Sequence, residues 1–513
     1  MRKVLVANRG EIAVRVIRAC RDLGLDSVAV FAVCDRAARH VRMASEAVAI
    51  GEGPPVENYL RIDRMLEAAR ASGADAVHPG YGFLSENEGF SAACHSAGLT
   101  FIGPTPAAMA QLSNKTLARR LATSVGVPVV PGTEEPFGPD VADEVLAREA
   151  ARIGYPVLVK AVSGGGGRGM RTVLEAVDLP GAIRAARSEA TTAFGDAAVY
   201  LERRLVRARH VEVQLLADHH GRIQPFVERE CSLQRRHQKV VEESPSPAVS
   251  SALRIRLMDA ARAVAAAAGY TNAGTVEFLL DTDGRFYFLE MNTRIQVEHP
   301  VTEMVTGVDL VAWQIRIARG EPLAVTPAVA ETPRGHAIEC RVSAEDPDSG
   351  FLPSPGRVTV YRAPHGPGIR HDGWVETGTD VPTYYDPLLS KLIAVGDDRR
   401  HATARLVRAL DEFDVQGIAT SLPFFRWLLR QPEFIEARFH TEFLDALLQR
   451  RAGTSFTAVD LSHAEVAAIA ACLAAAAGVA PGLERNAGTR ERQPPGASTR
   501  GWTARARREG LRG

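Results

Sequence analysis

Polar and apolar residues alternate without a break from Glu290 to Glu298. Glu290, Asn292, Arg294, Gln296 and Glu298 share one parity, and Met291, Thr293, Ile295 and Val297 share the other. A period of two predicts a strand that turns its polar groups to one surface and packs an apolar back against a core. Upstream, Val276–Leu280 and Arg285–Leu289 flank Asp281-Thr282-Asp283-Gly284. Asp-Gly between two apolar runs predicts a β-hairpin with Asp283 and Gly284 at the turn centre. That register sets Glu277 directly opposite Glu290, with Cβ atoms ~5 Å apart. Two carboxylates so placed repel by about 3 kcal/mol at an effective dielectric of about 20. A divalent cation between them reverses the sign, and Asn292 adds a neutral oxygen ligand. Glu277, Glu290 and Asn292, with room left for water or phosphate, suit Mg²⁺ or Mn²⁺ rather than zinc. A solvated edge hairpin would alternate in the same way, but Arg294, Gln296 and Glu298 continuing on that face favour a site.

The rest of the chain reads as alternating elements. Residues 3–31 predict strand, loop, helix and strand, with Ile12, Val16, Ile17 and Cys20 on the apolar helix face. A helix over Ile62–Ala71, a strand over Ala76–His78, the loop Pro79–Asn87 and a strand over Leu99–Pro104 follow. Such alternation predicts a parallel, doubly wound sheet. No G-x-G-x-x-G follows the first strand, so a nicotinamide site has no support. Loops at the carboxyl ends of such strands commonly hold ligands, which brings in His78 and Tyr81. Lys115 lies near the start of a helix, Val127–Pro131 reads as a linker, and 140–153 as a helix. A strand over Tyr155–Lys160 ends in lysine and runs into Ser163-Gly164-Gly165-Gly166-Gly167-Arg168-Gly169-Met170, where backbone N–H groups could approach phosphate. Val199–Leu205 and a hairpin of Val211–Leu216 with Ile223–Val227 come next, with His219 and His220 as turn residues. The string 228–239 is dense in charged and amide side chains; a solvated basic loop is the plain alternative for it.

Composition narrows the class. A chain of 513 residues has room for three or four domains, and 46% hydrophobic with 24% charged residues is ordinary for a globular protein. Lys+Arg and Asp+Glu balance at 61 each, so no global field favours nucleic acid or a membrane surface. The six cysteines show no C-x-x-C, which fits a reducing cytoplasm. The amino terminus lacks the form of a signal peptide, and the longest apolar run, Ala467–Ala480, is too short to span a bilayer. Asp460–Glu465 reads as a capping box opening an alanine-rich helix closed by Gly478, and the Arg-, Gly- and Pro-rich residues 482–513 read as disordered.

Several strings together resemble biotin carboxylase, the ATP-grasp component of biotin-dependent carboxylases. They are Ala7-Asn8-Arg9-Gly10-Glu11-Ile12-Ala13, His78–Asn87, Gly165–Met170, Arg229-Glu230-Cys231-Ser232-Leu233-Gln234-Arg235-Arg236-His237-Gln238-Lys239, Glu290–Pro300 and Glu339-Cys340-Arg341-Val342. The resemblance runs from about residue 2 to residue 446. It implies an α/β ATP-grasp fold, with a doubly wound parallel-sheet domain over 1–112. The ATP-grasp domain would cover 113–330 with a mobile lid at about 133–203, a mixed α+β domain 331–446, and an extra helix and tail 447–513.

The resemblance also implies that ATP and bicarbonate form carboxyphosphate, which carboxylates N1′ of biotin. Lys115, Lys160, Gly165, Gly166, Gly167, Glu202, Arg203, Leu205, His210, Gln234 and His237 would hold ATP. Glu277, Glu290 and Asn292 would hold the metal, as the hairpin register suggested independently. Lys239, Arg294, Gln296 and the backbone of Val297 would hold bicarbonate, with Glu298 as its base. Arg341 would stabilise enolate-like biotin, and Tyr81 would lie nearby. Arg203 stands where the family usually has lysine, and Val162-Ser163 replaces a more glycine- or alanine-like entry to the loop.

No methionine lies in an Ala-Met-Lys-Met setting. The implied biotin is therefore on a separate biotin carboxyl carrier protein, with the carboxyltransferase also a separate subunit. The resemblance further implies a homodimer of this chain, acting in an acetyl- or propionyl-CoA carboxylase. The alternatives are the equivalent component of a pyruvate or methylcrotonyl-CoA carboxylase, or another bicarbonate-activating ATP-grasp ligase.

Overall fold

The structure is a computed structural model that describes residues 1–162, 170–456 and 461–476. Gly165, Gly166 and Gly167, the cap at Asp460 and the tail 482–513 lie outside the described residues. Contacts divide the chain into Met1–Phe456 and Thr457–Gly513. In the second unit the helix Leu461–Ala476 forms as the alanine-rich pattern predicts, with Val466, Ile469 and Leu473 exposed.

The amino-terminal sheet has five parallel strands. In spatial order they are Glu46–Ala49, Asp26–Phe31, Lys3–Val6, Ala76–His78 and Thr100–Phe101. Val4 and Val6 pack with Ile12 and Val16 of the helix Gly10–Asp22. Leu5, Val28, Val30 and Val77 pack on the other side with Met65 and Ala68 of the helix Ile62–Ser72. The central strands are covered on both faces, which is why they read as nearly continuous apolar runs, while the edge strand Glu46–Ala49 is largely exposed. The last strand is shorter than the expected Leu99–Pro104, covering only Thr100–Phe101. The strand order reverses between Lys3–Val6 and Ala76–His78, and the loops leaving those two ends carry Asn8 and Tyr81.

Two larger antiparallel sheets follow, along with three two-stranded pairs among the described residues. In the smaller, Val157–Ala161 lies between Met170–Val173 and Val199–Arg203, backed by the helices Asp143–Ile153 and Leu179–Phe194. The larger has nine strands. Eight run in the order Phe286–Asn292, Asn272–Leu280, Arg209–Ala217, Arg229–Arg235, Gln238–Ser244, His336–Ser343, Leu388–Gly396 and Ile369–Gly373. Ile223–Pro225 pairs beside Arg209–Ala217. Val211, Val213, Val276 and Phe278 pack against the helix Ser251–Ala267. The alternate residues His210, Glu212 and Glu277 point to the opposite face and are also buried.

The hairpin differs from the sequence reading in an instructive way. Its loop has three residues, not two: the Asp281 N–H donates to the Arg285 carbonyl at 2.8 Å, and Gly284 takes φ +81°. Near the loop the pairing is therefore shifted by one, with Leu280 opposite Phe286 and Phe278 opposite Phe288. A β-bulge at Leu289 then restores the register, and Glu277 does face Glu290. The strand also stops at Asn292 instead of continuing to Glu298. Glu86 takes the Thr293 N–H at 3.2 Å and the Arg294 Nε–H at 2.9 Å, which draws the chain off the ladder. The charged string 228–239 is no solvated loop. It forms two paired strands joined at Arg236 and His237, both at positive φ of 50° and 67°. Two successive left-handed residues make the turn whose twist suits a two-residue hairpin.

Phe288 is fully buried beside the bulge, within the core under this hairpin. Phe288→Ala should lower the stability of the Met1–Phe456 unit by about 3–5 kcal/mol. Urea unfolding checks this, and a loss below about 1 kcal/mol would mean the ring is not packed as described.

Candidate active site

One cavity of about 1170 Å³ gathers the residues singled out in the sequence. Lys115, Lys160, Glu202, Arg203, Leu205, His210, Gln234 and His237 line it. So do Lys239, Glu277, Glu290, Asn292, Arg294, Gln296, Val297, Arg341 and Tyr81. Glu298 lies behind that wall with no exposed surface. His78 is not on the cavity; its Nδ1 accepts the Gly80 N–H at 3.0 Å, so its ring shapes the turn. Gly80 is required there, at φ +64° with a Cβ that would come 2.9 Å from Asn8 Nδ2. Asn8 Nδ2 donates to the Pro79 and Tyr81 carbonyls at 2.7 and 2.8 Å and so fixes the loop.

Register builds the floor. Arg229, Glu212, Glu277 and Glu290 are directly opposed, one after another, across four neighbouring strands. Arg229 Nε bonds Glu212 closely, and its remaining donors reach Gln214, Thr302 and Thr275 at 3.0–3.1 Å. Lys239 Nζ supplies the second cation. It reaches Glu212 Oε2 at 2.6 Å, Glu277 Oε1 at 2.8 Å and Glu298 Oε1 at 2.8 Å. Burial works to raise the Glu298 carboxyl, but Lys239, Arg341 and Arg229 overcome it and hold it well below the ordinary carboxylate range. Against the same burial, Lys239 and His210 hold Glu277 low. Lys239 is in turn held well above the usual lysine range, its three carboxylates outweighing burial.

Glu277 is saturated with donors. Asn292 Nδ2 reaches Oε1 at 2.8 Å, Gln296 Nε2 reaches it at 3.0 Å, and His210 Nε2 lies 2.8 Å from Oε2. Gln234 Nε2 holds the other side of that imidazole, 2.8 Å from Nδ1. Glu290, by contrast, makes no hydrogen bond or ion pair among the described residues, and burial and Glu277 both push its carboxyl up. A half-buried carboxylate facing another across a hairpin, with an amide oxygen two residues on, is an all-oxygen donor set that fits a hard divalent cation.

The turn after Asn292 is clamped from several sides. Arg294 donates to Glu86 at 2.9 Å, to Gln296 Oε1 at 2.8 Å and to Asn292 Oδ1 at 3.3 Å. Lys391, fully buried, donates to the Val297 carbonyl at 2.8 Å and lies 3.1 Å from Glu11 Oε1, which also accepts the Tyr81 hydroxyl. Arg341 Nη2 bonds Glu298 Oε2 at 2.9 Å. On the opposite wall, Lys160 and Arg119 each pair closely with Glu202. Lys115 occupies the first position of the helix Lys115–Ser124, where the helix dipole disfavours a cation, and burial lowers its pKa.

Sequence reasoning missed Glu86, Arg119, Glu212, Arg229 and Lys391. Glu86 and Arg229 lay inside strings quoted for the resemblance, and Glu212 is two residues from His210 on a period-two strand. Arg119 lies one helical turn beyond Lys115. Lys391 had its own signal, a lone charge in the apolar run Leu388–Val395.

Removing the Lys239 ammonium leaves buried carboxylates without their partner, a loss that typically costs 3–5 kcal/mol. With folded values held below the ordinary range, Glu277 and Glu298 contribute stability that is full above that range and is lost as pH falls through it. In Lys239→Met their folded values rise, so the penalty is largest at neutral pH and is relieved by acid. Melting curves between about pH 8 and pH 5 should show the gap from wild type narrowing as pH falls. A gap that is constant or widens would overturn this charge assignment.

Among the described residues no helix is long and apolar enough to cross a membrane. The family model for the biotin carboxylase N-terminal domain matches residues 1–109. That for the carbamoyl-phosphate synthase L chain ATP-binding domain matches 114–326, and that for the biotin carboxylase C-terminal domain matches 339–446. A pyruvate carboxylase subunit from Methanothermobacter thermautotrophicus is 50% identical over 443 residues, 86% of this chain and 89% of that protein. The biotin carboxylase of Nostoc sp. is 49% identical over 445 residues, 87% of this chain and 99% of that protein. A biotin carboxylase–β,γ-ATP complex from Campylobacter jejuni superposes with TM-score 0.84 at 42% identity, over 87% of this chain and 98% of that one. The biotin carboxylase domain dimer of Hydrogenobacter thermophilus 2-oxoglutarate carboxylase, holding MgADP, ADP and bicarbonate, gives 0.85 at 42%, over 90% and 99%. The fold is the ATP-grasp fold of those structures, and the chain belongs to the biotin carboxylase family.

Proposed function

We propose that the chain uses ATP and bicarbonate to carboxylate N1′ of biotin carried on a separate protein. The observation that carries this reading is the position of Glu298. It is a fully buried carboxylate that meets the cavity through Lys239 and Arg341, beside Arg294, Gln296 and Val297. Bicarbonate is a poor nucleophile until its second proton leaves, and a base set among cations serves that step. An entering bicarbonate takes donors from Lys239 and Arg294. As Lys239 turns toward it, the hold on Glu298 loosens and the carboxylate becomes a stronger base. Glu298 then removes the bicarbonate proton, and the freed oxygen attacks the γ-phosphorus of ATP, expelling ADP and leaving carboxyphosphate.

Lys115, Lys160, Glu202, Arg203, Leu205, His210, Gln234 and His237 hold ATP in this reading. The half-buried lysine at a helix start supports it, because an anion removes the penalty of that position. Glu277, Glu290 and Asn292 hold Mg²⁺ or Mn²⁺, which when bound neutralises phosphate charge. Arg341 faces the oxyanion that develops on biotin when N1′ loses its proton, and Tyr81 borders that subsite. In the same reading the chain divides into 1–112, an ATP-grasp part at 113–330 whose segment at about 133–203 serves as a lid over the nucleotide, a part at 331–446, and the extra helix and tail at 447–513. The chain would act as a cytoplasmic homodimer with a biotin carboxyl carrier protein. A separate carboxyltransferase would choose the acceptor, acetyl-CoA, propionyl-CoA or pyruvate among them.

The test is phosphate release with and without free biotin, alongside trapping of carboxybiotin. Arg294→Ala should impair both reactions. Arg341→Gln should lower biotin carboxylation by about a hundredfold, as losing a donor to a developing oxyanion does, and bicarbonate-dependent phosphate release by much less. Equal losses would assign Arg341 to bicarbonate or phosphate. ATP turnover indifferent to biotin in the wild type would point to another ATP-grasp ligase.

A further inference from the structure

Behind Arg341 the sheet holds two carboxylates that the reaction above leaves unused. Glu242 and Glu339 are directly opposed on the neighbouring strands Gln238–Ser244 and His336–Ser343, and both are fully buried. Arg341, two residues from Glu339, donates to Glu242 Oε1 through Nε at 2.6 Å. Its Nη2 lies 2.5 Å from the same oxygen and 2.9 Å from Glu298 Oε2. The guanidinium thus bridges the base on one side and Glu242 on the other. Glu242 Oε2 and both oxygens of Glu339 meet no donor among the described residues. Lys391, directly opposed to Arg341, is engaged with the Val297 carbonyl and Glu11 instead.

Two fully buried carboxylates one strand apart, with a single guanidinium bonded to only one of them, cannot both ionise without leaving an unpaired buried anion. Such a pair titrates as a unit.

We propose that Glu242 is the positioning residue for Arg341, and that Glu242 and Glu339 hold one proton between them, resting on Glu339. Uptake of a second proton by Glu242 then releases the guanidinium toward Glu298 and weakens the biotin step. The proposal rests on the reading of Arg341 as the biotin-facing group. The charge states agree with this geometry. Burial pushes Glu339 well above the carboxylate range, and it pushes Glu242 up to about 7 although Arg341 opposes it. The other charged or titratable groups around the pair are Lys239, Cys231, Cys340, Lys391 and Glu298. Above about 7 Glu242 is ionised and grips Arg341; below it the grip is lost, so biotin use should fall on the acid side.

The experiment is kcat/KM for free biotin between about pH 6 and pH 9, in the full chain and in Glu242→Gln, Glu242→Asp, Glu339→Gln and Arg341→Gln. In Glu242→Gln it should fall by about a hundredfold at the high end, as for a misplaced catalytic group, and should lose the acid limb near neutrality. Glu242→Asp keeps the charge at shorter reach and should keep a limb with a lower plateau. Glu339→Gln mimics the neutral acid and should keep the limb. A wild-type limb in Glu242→Gln, or loss of the limb in Glu339→Gln, overturns the proposal. If Glu242→Gln does not fold, a wild-type plateau in Glu242→Asp overturns it. A fall in Arg341→Gln without one in Glu242→Gln sinks this inference alone. No fall in Arg341→Gln sinks the reading of Arg341 and the inference together.

Discussion

The site depends on one ammonium group. Lys239 sits where three carboxylates converge, and no other described residue touches Glu212, Glu277 and Glu298 together. Buried charges persist only when paired, so the arrangement of these acids is a consequence of where Lys239 is. Its position follows from the two-residue turn at Arg236 and His237, which sets the phase of the strand Gln238–Ser244. Without substrate, the cations and acids neutralise one another in a closed network. An incoming anion therefore exchanges partners with groups already in place, and does not have to fill a bare positive hole. This keeps the cost of desolvation in the folded protein, where it has been met before any substrate arrives.

Much of this was legible in the chain, for reasons that differ by residue. The parallel sheet could be read because both faces of its central strands are buried, so that Val4, Leu5 and Val6 follow one another without a polar residue in the strand Lys3–Val6. The Glu277–Glu290 pairing came out of the sequence although the turn beneath it did not. A two-residue turn and a three-residue loop plus a bulge give the same register beyond Leu289, and only hydrogen-bond geometry separates them. The continuation of the strand past Asn292 was misread because Glu86, some two hundred residues earlier, captures Thr293 and Arg294. Alternation is a local signal and contains nothing about such a distant acceptor. The same limit hid Lys391, whose partners Glu11 and Val297 come from two other segments. The Glu242–Glu339 pair was invisible because it exists only once two remote strands are in register.

The nine-stranded sheet runs without interruption from the metal-type carboxylates to the strand bearing Lys391. Neighbouring strands in a flat sheet are about 4.8 Å apart, so strands three places apart are separated by more than a lysine can reach. Lys239 nevertheless touches Glu277 three strands away in hydrogen-bonding order. The sheet must curl here, and register irregularities in Arg229–Arg235 against Gln238–Ser244 are where such bending is accommodated. Curvature brings the groups assigned to nucleotide, bicarbonate and biotin around one cavity, although each comes from a different stretch of chain.

The loop at 282–284 and the bulge at Leu289 act together as a parity check on the hairpin. Each adds one residue to the count, and two such additions cancel, so Glu290 keeps the face that Glu277 needs. Losing the extra residue at the bulge alone would shift the pairing by one from there to Asn292, turning Glu290 toward the core and Met291 toward the cavity. The exposed loop can vary in length on its own, whereas the bulge is where one residue decides whether the second carboxylate faces the first.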